Sequence, residues 1–191
     1  MKILTDLHTH TNVSAHAFSS LQENARYAAS IGLELIAITN HGPYKDGRAE
    51  DGIHLWHFEN LHLVPRNIDG ITVLRGAEVN VLDEKGTLDI PDKILSKLDI
   101  VIASCHDFVF EPYDDESFKR FYTAIMRNPH IDIIGHICRN KHLHCLDEII
   151  KLAKENNKLI EINIASSKLA KFTENVKLVI KNALNIKQKL L

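Results

Sequence analysis

The sequence lacks several features that would assign it to common classes of protein. It has three cysteines in 191 residues, at Cys105, Cys138 and Cys145, and no CxxC pair. This usage and the absence of a charged n-region followed by an apolar h-region predict a reducing, cytoplasmic location. No apolar run approaches the ~20 residues that cross a bilayer, so we predict no transmembrane segment. The net charge of −2 gives no electrostatic case for binding nucleic acid or an anionic membrane.

Local motifs of several enzyme classes are also missing. There is no GxSxG turn, no GxxxxGKS/T phosphate loop and no GxGxxG after the first predicted strand. Serine hydrolases, P-loop NTPases and dinucleotide-binding enzymes need these local geometries, so none of those classes is predicted.

Histidine, in contrast, is abundant. The chain has 12 histidines in 191 residues, about three times ordinary usage. Three of them stand in the opening stretch DLHTHTNVSAH, at His8, His10 and His16. Because a single histidine after a strand is more often a hydrogen-bonded structural residue than a ligand, the positions of the others must decide the interpretation.

Short apolar runs alternate with longer amphipathic stretches, which is typical of repeated β/α units in one α/β domain over residues 1–191. The patterns predict strands at 2–8, 34–40, 72–79, 99–105, 132–136 and 158–164. They predict helices near 20–31, 54–67, 91–98, 115–128, 144–156 and 173–190, with Ser19 or Ser20 and Asp114 or Asp115 as N-caps. Such strands form a mostly parallel sheet, open or closed as a barrel.

Polar residues follow these strands at one edge of the predicted sheet. Asp6, His8 and His10 share one face of the first strand and its exit. The next four strands end in His or Glu, at His41, Glu78, His106 and His136. Five such placements are improbable by chance, and metal ligation explains them. Imidazole and carboxylate suit zinc, manganese or iron, and a cluster of such ions would favour phosphoester hydrolysis.

Other polar residues have a structural interpretation beside a functional one. Arg66 could contact a substrate phosphate or form a surface salt bridge. The histidines His54, His57, His62, His142 and His144 are predicted to be structural or exposed. Cys105 and Cys138 flank presumed ligands but are not placed on the strand face that the ligands use. Asn163 and Ser166 could hydrogen-bond substrate or a ligand.

Several segments together resemble the PHP superfamily, named for polymerases and histidinol phosphatase. They run in order from residue 3 to about 167: DLHTH, HAFS (16–19), AITNHGP (37–43), LWHFENL (55–61), LRGAEVN (74–80), ASCHDFVF (103–110), DIIGH and EINIASS (161–167). HAFS and the WHF block are most similar to the YcdX-like phosphatase branch. A TIM-barrel amidohydrolase also opens with a His-x-His strand, but NHGP, RGAEVN and WHF favour the PHP interpretation.

The resemblance implies a distorted barrel of seven β/α units that holds up to three divalent ions, zinc or manganese. It implies that His8 and His10 bind a first ion and that Glu78 bridges it to a second. His106 and His136 would complete the ligands of the second ion, while His16 and His41 would hold the third. Asp6 would accept a hydrogen bond that fixes a histidine tautomer.

The sequence departs from that family pattern after residue 167. Relatives finish their site with a late Asp-x-His pair, whereas this chain continues as a lysine-rich amphipathic stretch. We therefore expect about six of the seven β/α units, and one ligand fewer in the first and third sites. Unpaired edges of the first and last strands would then favour a homo-oligomer or an unstable monomer.

Two functions follow as expectations. The first is a metal-dependent phosphoesterase that hydrolyses a small phosphomonoester through a metal-bound hydroxide. The second is a truncated, catalytically impaired metal-binding remnant of such an enzyme. Neither a membrane nor a nucleic acid is an expected partner, and the pattern does not identify the substrate.

Overall fold

The structure is a computed structural model that describes residues 3–43, 54–163, 166 and 168–191. The chain forms two compact units. The first unit consists of Met1–Val79 and Asp89–Ile102, and the second of Asn80–Leu88 and Ala103–Leu191. Each unit is described by itself below, and the single domain predicted from the sequence stays a prediction.

The first unit contains a parallel sheet with one short hairpin. Its elements are β1 (Thr5–Thr9), α1 (Leu21–Ser30), β2 (Leu35–Ile38), α2 (Leu55–Glu59), β3 (Asn67–Ile68), β4 (Ile71–Asn80), α3 (Asp92–Leu95) and β5 (Ile100–Ser104), with the last residues of β4 and β5 in the second unit. The order is β1-β2-β4-β5, with β1, β2 and β4 parallel. β3 pairs antiparallel with β4.

Helix α1 packs on this sheet because its apolar residues recur at helical spacing. Ala25 and Ala28 are buried against Ile36 and Val73, which β2 and β4 turn toward the helix. Ser20, one of the two residues predicted as the N-cap, caps the helix in a capping box with Glu23. The capping box therefore fixes where α1 starts, and residues 10–19 connect the end of β1 to this cap.

The hairpin of β3 and β4 was not predicted. The sequence predicted a helix over 54–67, whereas the structure has α2 and a 3-10 turn at Leu61–Leu63, followed by β3. Asp69 and Gly70 have φ values of 52° and 85°, the left-handed pair that a two-residue hairpin turn requires. The dipeptide Asp-Gly before a β-branched run was the signal for this turn.

The second unit continues the α/β alternation. Its elements are α4 (Asp115–Arg127), β6 (Ile133–Ile134), α5 (Leu146–Glu155), β7 (Leu159–Ile160) and α6 (Thr173–Asn185). β6 and β7 are parallel, and the Gly135 N–H donates to the Ala103 carbonyl at the end of β5. Helix α4 buries Phe118, Phe121, Tyr122 and Ile125, and Asp114 caps it by accepting from the Ser117 N–H.

The last residues of the chain pair with β7. α6 ends at Asn185, before the predicted residue 190, and Lys187 has a φ of 55° that turns the backbone. Leu190 forms an isolated parallel bridge with Ile160, and the Leu191 N–H donates to the Ile160 carbonyl at 3.0 Å. The expectation that the last strand has an unpaired edge is therefore wrong for β7. The predicted homo-oligomer stays a prediction.

Within the described ranges, no helix has the length and apolar character that a membrane span needs. Each of the six strands predicted from the sequence overlaps a strand of the structure, although β6 and β7 are shorter than predicted. Part of the predicted strand 158–164 lies outside the described residues.

Gly76 in β4 allows the close approach of β5. A Cβ at this position would lie 2.5 Å from the Ile100 carbonyl oxygen, and backbone cannot rotate away as a side chain can. We expect Gly76→Ala to lower the free energy of unfolding by ~1–3 kcal/mol in urea denaturation, because the two strands must separate. Thr72→Ala, at an exposed position of the same strand, is the matched control. Equal stability of the two variants would contradict this packing.

Candidate metal centre

The carboxyl ends of β1, β2 and β4 bring five predicted ligands together in the first unit. His8 lies in β1, His10 follows it, and His41 forms a parallel bridge with Glu78 beside the end of β4. Because parallel strands end at one edge of a sheet, these side chains share one surface. His16 reaches the same place from the loop between β1 and α1.

The Glu78 carboxylate is the centre of this cluster. Its side chain is 1% exposed, and its Oε2 lies 3.2 Å from His8 Nε2, 3.4 Å from His10 Nε2 and 3.0 Å from His41 Nδ1. Charge-assisted hydrogen bonds between N and O are usually ~2.7–2.9 Å long. Two ligand atoms that each lie ~2.1 Å from one tetrahedral ion are about 3.4 Å apart. The spacing around Glu78 therefore fits ligands around an ion.

His16 and His41 form the outer part of the cluster. Their Nε2 atoms are 2.7 Å apart, while the His41 ring stacks on the His10 ring at a centroid distance of 4.6 Å. Two overlapping groups that lie wholly within the first unit have ligand atoms close enough to hold a metal ion: His8, His10 and Glu78, and also His10, His16 and His41. The donor set of imidazoles and one buried carboxylate is that of zinc and manganese sites.

Burial makes His10 a good ligand. Desolvation, together with the smaller effect of the neighbouring histidines, lowers the pKa of His10 from its ordinary 6.5 to about 3, against the opposing effect of the Glu78 carboxylate. The imidazole is therefore neutral at physiological pH. A neutral imidazole is the form that binds a metal ion.

Asp6 does not contact an imidazole through any bond seen among the described residues. Its carboxylate accepts the His8 backbone N–H at 3.2 Å, and its side chain is exposed. It thus orients the strand at His8, and its predicted effect on a histidine tautomer stays a prediction.

Sequence reasoning missed a polar network at the exit of β2. The buried Asn40 amide bonds to Thr11 and Ser14, and Ser14 in turn lies beside His10 and His41. Asn40 stands next to His41 in the quoted segment AITNHGP, so a polar residue at a strand end was the available signal.

The second unit holds the remaining predicted ligands, His106 and His136. Both are buried, and their ring centroids are 5.2 Å apart. His106 Nδ1 lies 2.7 Å from Asn80 Oδ1, so the other ring nitrogen of His106, Nε2, is not the atom that faces Asn80. His136 has a φ of 26°, and its backbone N–H donates to the buried Glu161 carboxylate at 2.7 Å. A strained backbone at a buried histidine is typical of functional sites.

A cavity of about 510 Å³ adjoins these two histidines. Arg139, Lys141 and Lys171 line it together with the carboxylates of Asp107 and Glu111. The lining therefore combines these charged groups with apolar side chains such as Phe108 and Phe172, and Lys141 pairs with the Glu111 carboxylate.

The other candidates of the sequence lie outside both clusters. Arg66 pairs with the Asp99 carboxylate, and its backbone carbonyl accepts the Val73 N–H on β4. Val73 is five residues before Glu78, so Arg66 lies roughly 16 Å from Glu78 along the strand. His54 caps α2, and His62 faces the Glu59 carbonyl. His142 approaches the Asp115 carboxylate at 3.7 Å, and His144 is exposed.

The two cysteines are weak candidates for ligation. Burial raises the pKa of the Cys105 thiol to about 12 and also raises that of Cys138. A thiolate is the form that binds zinc, so both groups are poorly suited as ligands in the metal-free protein.

The pKa of His10 predicts a pH dependence of stability in the absence of metal. Its folded-state pKa lies below the unfolded value, so the unfolded chain binds the proton more readily, and stability falls as pH drops below 6.5. Between pH 7 and pH 5 this histidine should cost up to about 2 kcal/mol. Urea denaturation in the presence of a chelator measures it, and His10→Gln should flatten the profile. The exposed His62→Gln is the control, and a profile unchanged in His10→Gln would contradict a neutral, buried His10.

Known proteins share this arrangement of strands and sequence motifs. The chain is 49% identical over 168 residues to a probable phosphatase of Thermoanaerobacter sp. (strain X514), covering 87% of this chain and 66% of the relative. It is 44% identical over 192 residues to a probable phosphatase of Clostridium novyi (strain NT), covering 97% and 77% of the two chains. The chain thus spans about two thirds of the length of such relatives.

A solved structure has the same fold. The histidinol phosphate phosphatase of Lactococcus lactis subsp. lactis Il1403, complexed with zinc, L-histidinol and phosphate, matches with a TM-score of 0.63 and 19% identity, over 97% of this chain and 84% of that one. The predicted fold class, an incomplete α/β barrel of the PHP type, is confirmed. The model of the PHP domain matches residues 6–165, and the chain therefore belongs to the PHP family.

Proposed function

We propose that the chain is a metal-dependent phosphatase that hydrolyses a small phosphomonoester. The observation that carries the proposal is the convergence of His8, His10 and His41 nitrogens on one Glu78 carboxylate oxygen at 3.0–3.4 Å. The names of the relatives and the zinc, L-histidinol and phosphate bound in the Lactococcus lactis structure support it.

The residues of the first unit would hold zinc or manganese. His8, His10 and Glu78 are proposed to bind one ion, with Glu78 as a bridging carboxylate, while His16 and His41 bind another. His106 and His136 are proposed as ligands of a further ion, up to three in all. Bound divalent ions would acidify a water for attack and neutralise charge on the phosphate oxygens.

The cavity beside His106 and His136 is the proposed place of the phosphorylated substrate. Arg139 lines it, and its guanidinium is oriented by bonds from Nε to Ser166 Oγ at 2.7 Å and from Nη2 to Asn163 Oδ1 at 3.5 Å. Both acceptors are neutral, so these bonds do not neutralise the Arg139 charge. A guanidinium held in a fixed orientation is well suited to bind a phosphate.

A second function is favoured by one feature of the sequence. Residues 168–191 contain neither Asp nor His, so they offer no counterpart of the late Asp-x-His pair of relatives. A catalytically impaired metal-binding protein is therefore the alternative. It shares the metal centre with the phosphatase and differs in turnover.

Glu78→Gln tests the proposed function. The amide keeps the shape of the carboxylate and removes its charge, so we expect metal content per chain to fall and hydrolysis of p-nitrophenyl phosphate with added Mn²⁺ or Zn²⁺ to drop by at least ~100-fold. The exposed Glu59→Gln is the matched control. A protein that binds metal through Glu78 but never turns over would favour the alternative. Wild-type metal content and activity in Glu78→Gln would contradict the metal centre built on Glu78.

Arg139→Ala tests the substrate cavity. Loss of a charged hydrogen bond to the phosphate, worth about 1.5–3 kcal/mol, should raise KM by ~10–100-fold in steady-state kinetics. Arg139→Lys should restore part of the loss because lysine keeps the charge without the planar fork. Lys168→Ala, at an exposed position that does not line the cavity, is the control. An unchanged KM in Arg139→Ala would place the phosphate elsewhere.

A further inference from the structure

The polar network behind His10 has a defined direction of hydrogen bonding. It begins at the Thr11 backbone N–H, which can only donate and lies 2.8 Å from Asn40 Oδ1. This bond fixes the orientation of the Asn40 amide, with Oδ1 facing the Thr11 N–H and Nδ2 donating to Thr11 Oγ1 at 3.0 Å. The Asn40 side chain is 1% exposed, so solvent does not offer it an alternative arrangement.

The hydroxyl of Ser14 takes its direction from this amide. Ser14 Oγ lies 3.1 Å from Asn40 Oδ1, and because that oxygen only accepts, the hydroxyl must donate to it. The lone pairs of Ser14 Oγ are then available as acceptors. One accepts the His41 backbone N–H at 3.2 Å, and the other faces His10 Nδ1 at 3.5 Å.

The tautomer of His10 follows from the Ser14 acceptor. A lone pair of Ser14 Oγ favours a proton on His10 Nδ1, since an unprotonated Nδ1 would face another lone pair. The remaining ring nitrogen, Nε2, then carries a lone pair and lies 3.4 Å from Glu78 Oε2. That oxygen accepts only, but two nearer imidazole nitrogens, His41 Nδ1 at 3.0 Å and His8 Nε2 at 3.2 Å, can donate to it in place of His10. Nε2 is thus prepared for a metal ion before the ion arrives.

His57 holds the other end of the same amide. Its Nε2 lies 3.3 Å from Asn40 Nδ2, and because the amide nitrogen donates, His57 Nε2 must accept. His57 stands in the WHF block, and the sequence predicted a structural or exposed position for it. It contacts the nitrogen of the Asn40 amide, whereas Ser14 contacts the oxygen.

We propose that Ser14 and Asn40 are positioning residues that hold His10 as the Nδ1–H tautomer, so that its Nε2 serves as a metal ligand. The inference rests on the proposed metal centre of the previous section. It concerns how the chain prepares a ligand and not which reaction the ion supports. Hydrogen-bond partners of this kind orient metal-binding histidines and raise their affinity.

Ser14→Ala in the full chain is the test. It removes the acceptor for His10 Nδ1, and we expect the dissociation constant for Zn²⁺, measured by competition with a chelator, to rise by ~10–100-fold. Ser30→Ala removes a hydroxyl that donates to a backbone carbonyl at the end of α1, and it should bind Zn²⁺ as the wild type does. Thermal melts of both metal-free variants check that they fold.

A second readout does not depend on the Zn²⁺ affinity. Long-range ¹⁵N–¹H NMR of the metal-free protein, labelled at histidine, reports which ring nitrogen of His10 carries the proton. The wild type should show the Nδ1–H form, and Ser14→Ala should lose that preference. A wild-type His10 protonated at Nε2, or a Ser14→Ala protein with unchanged tautomer and unchanged Zn²⁺ affinity, would overturn the inference.

The outcomes separate this inference from the proposed function. A wild type that shows the Nδ1–H tautomer but binds no Zn²⁺ would contradict the metal centre while leaving the direction of the hydrogen bonds intact. Wild-type metal binding and turnover that Ser14→Ala does not weaken would contradict the role of Ser14 alone.

Discussion

The approach of three histidine nitrogens to one buried oxygen of Glu78 is the constraint on which the candidate site depends. A carboxylate inside a protein loses its hydration, and this loss is tolerated when cations or strong donors surround it. Here the neighbours of the carboxylate in the first unit include His10, whose lowered pKa keeps its imidazole neutral. A divalent ion among these ligands would supply the positive charge that a neutral imidazole does not.

The parallel sheet explains why these residues meet. β1, β2 and β4 run in the same direction, so residues far apart in the sequence leave their strands at one edge. Gly76 allows β4 and β5 to approach closely two residues before Glu78. Packing within the sheet therefore sets the position of the carboxylate, and the network of Thr11, Ser14 and Asn40 sets the orientation of the imidazoles beside it.

The strand pattern and the ligand types could be predicted from the sequence because they depend on short-range periodicity. Apolar runs and their terminal His or Glu identify strands and their exits, and the caps at Ser20 and Asp114 follow from local residue types. The roles of Asn40, Asn80 and Glu161 could not be predicted, since each depends on a partner at least 25 residues away in the sequence. The β3–β4 hairpin was missed although its Asp-Gly turn is local, because the preceding histidine-rich stretch fits a helical pattern.

The central claim is that Glu78, His8 and His10 share a metal ion, and zinc-edge anomalous diffraction from crystals of the full chain grown with Zn²⁺ tests it most directly. The account predicts an anomalous peak within about 2.0–2.2 Å of Glu78 Oε2 and of the Nε2 atoms of His8 and His10. Ordinary hydrogen bonds between Glu78 and these histidines, with zinc absent from this position in fully loaded crystals, would contradict it.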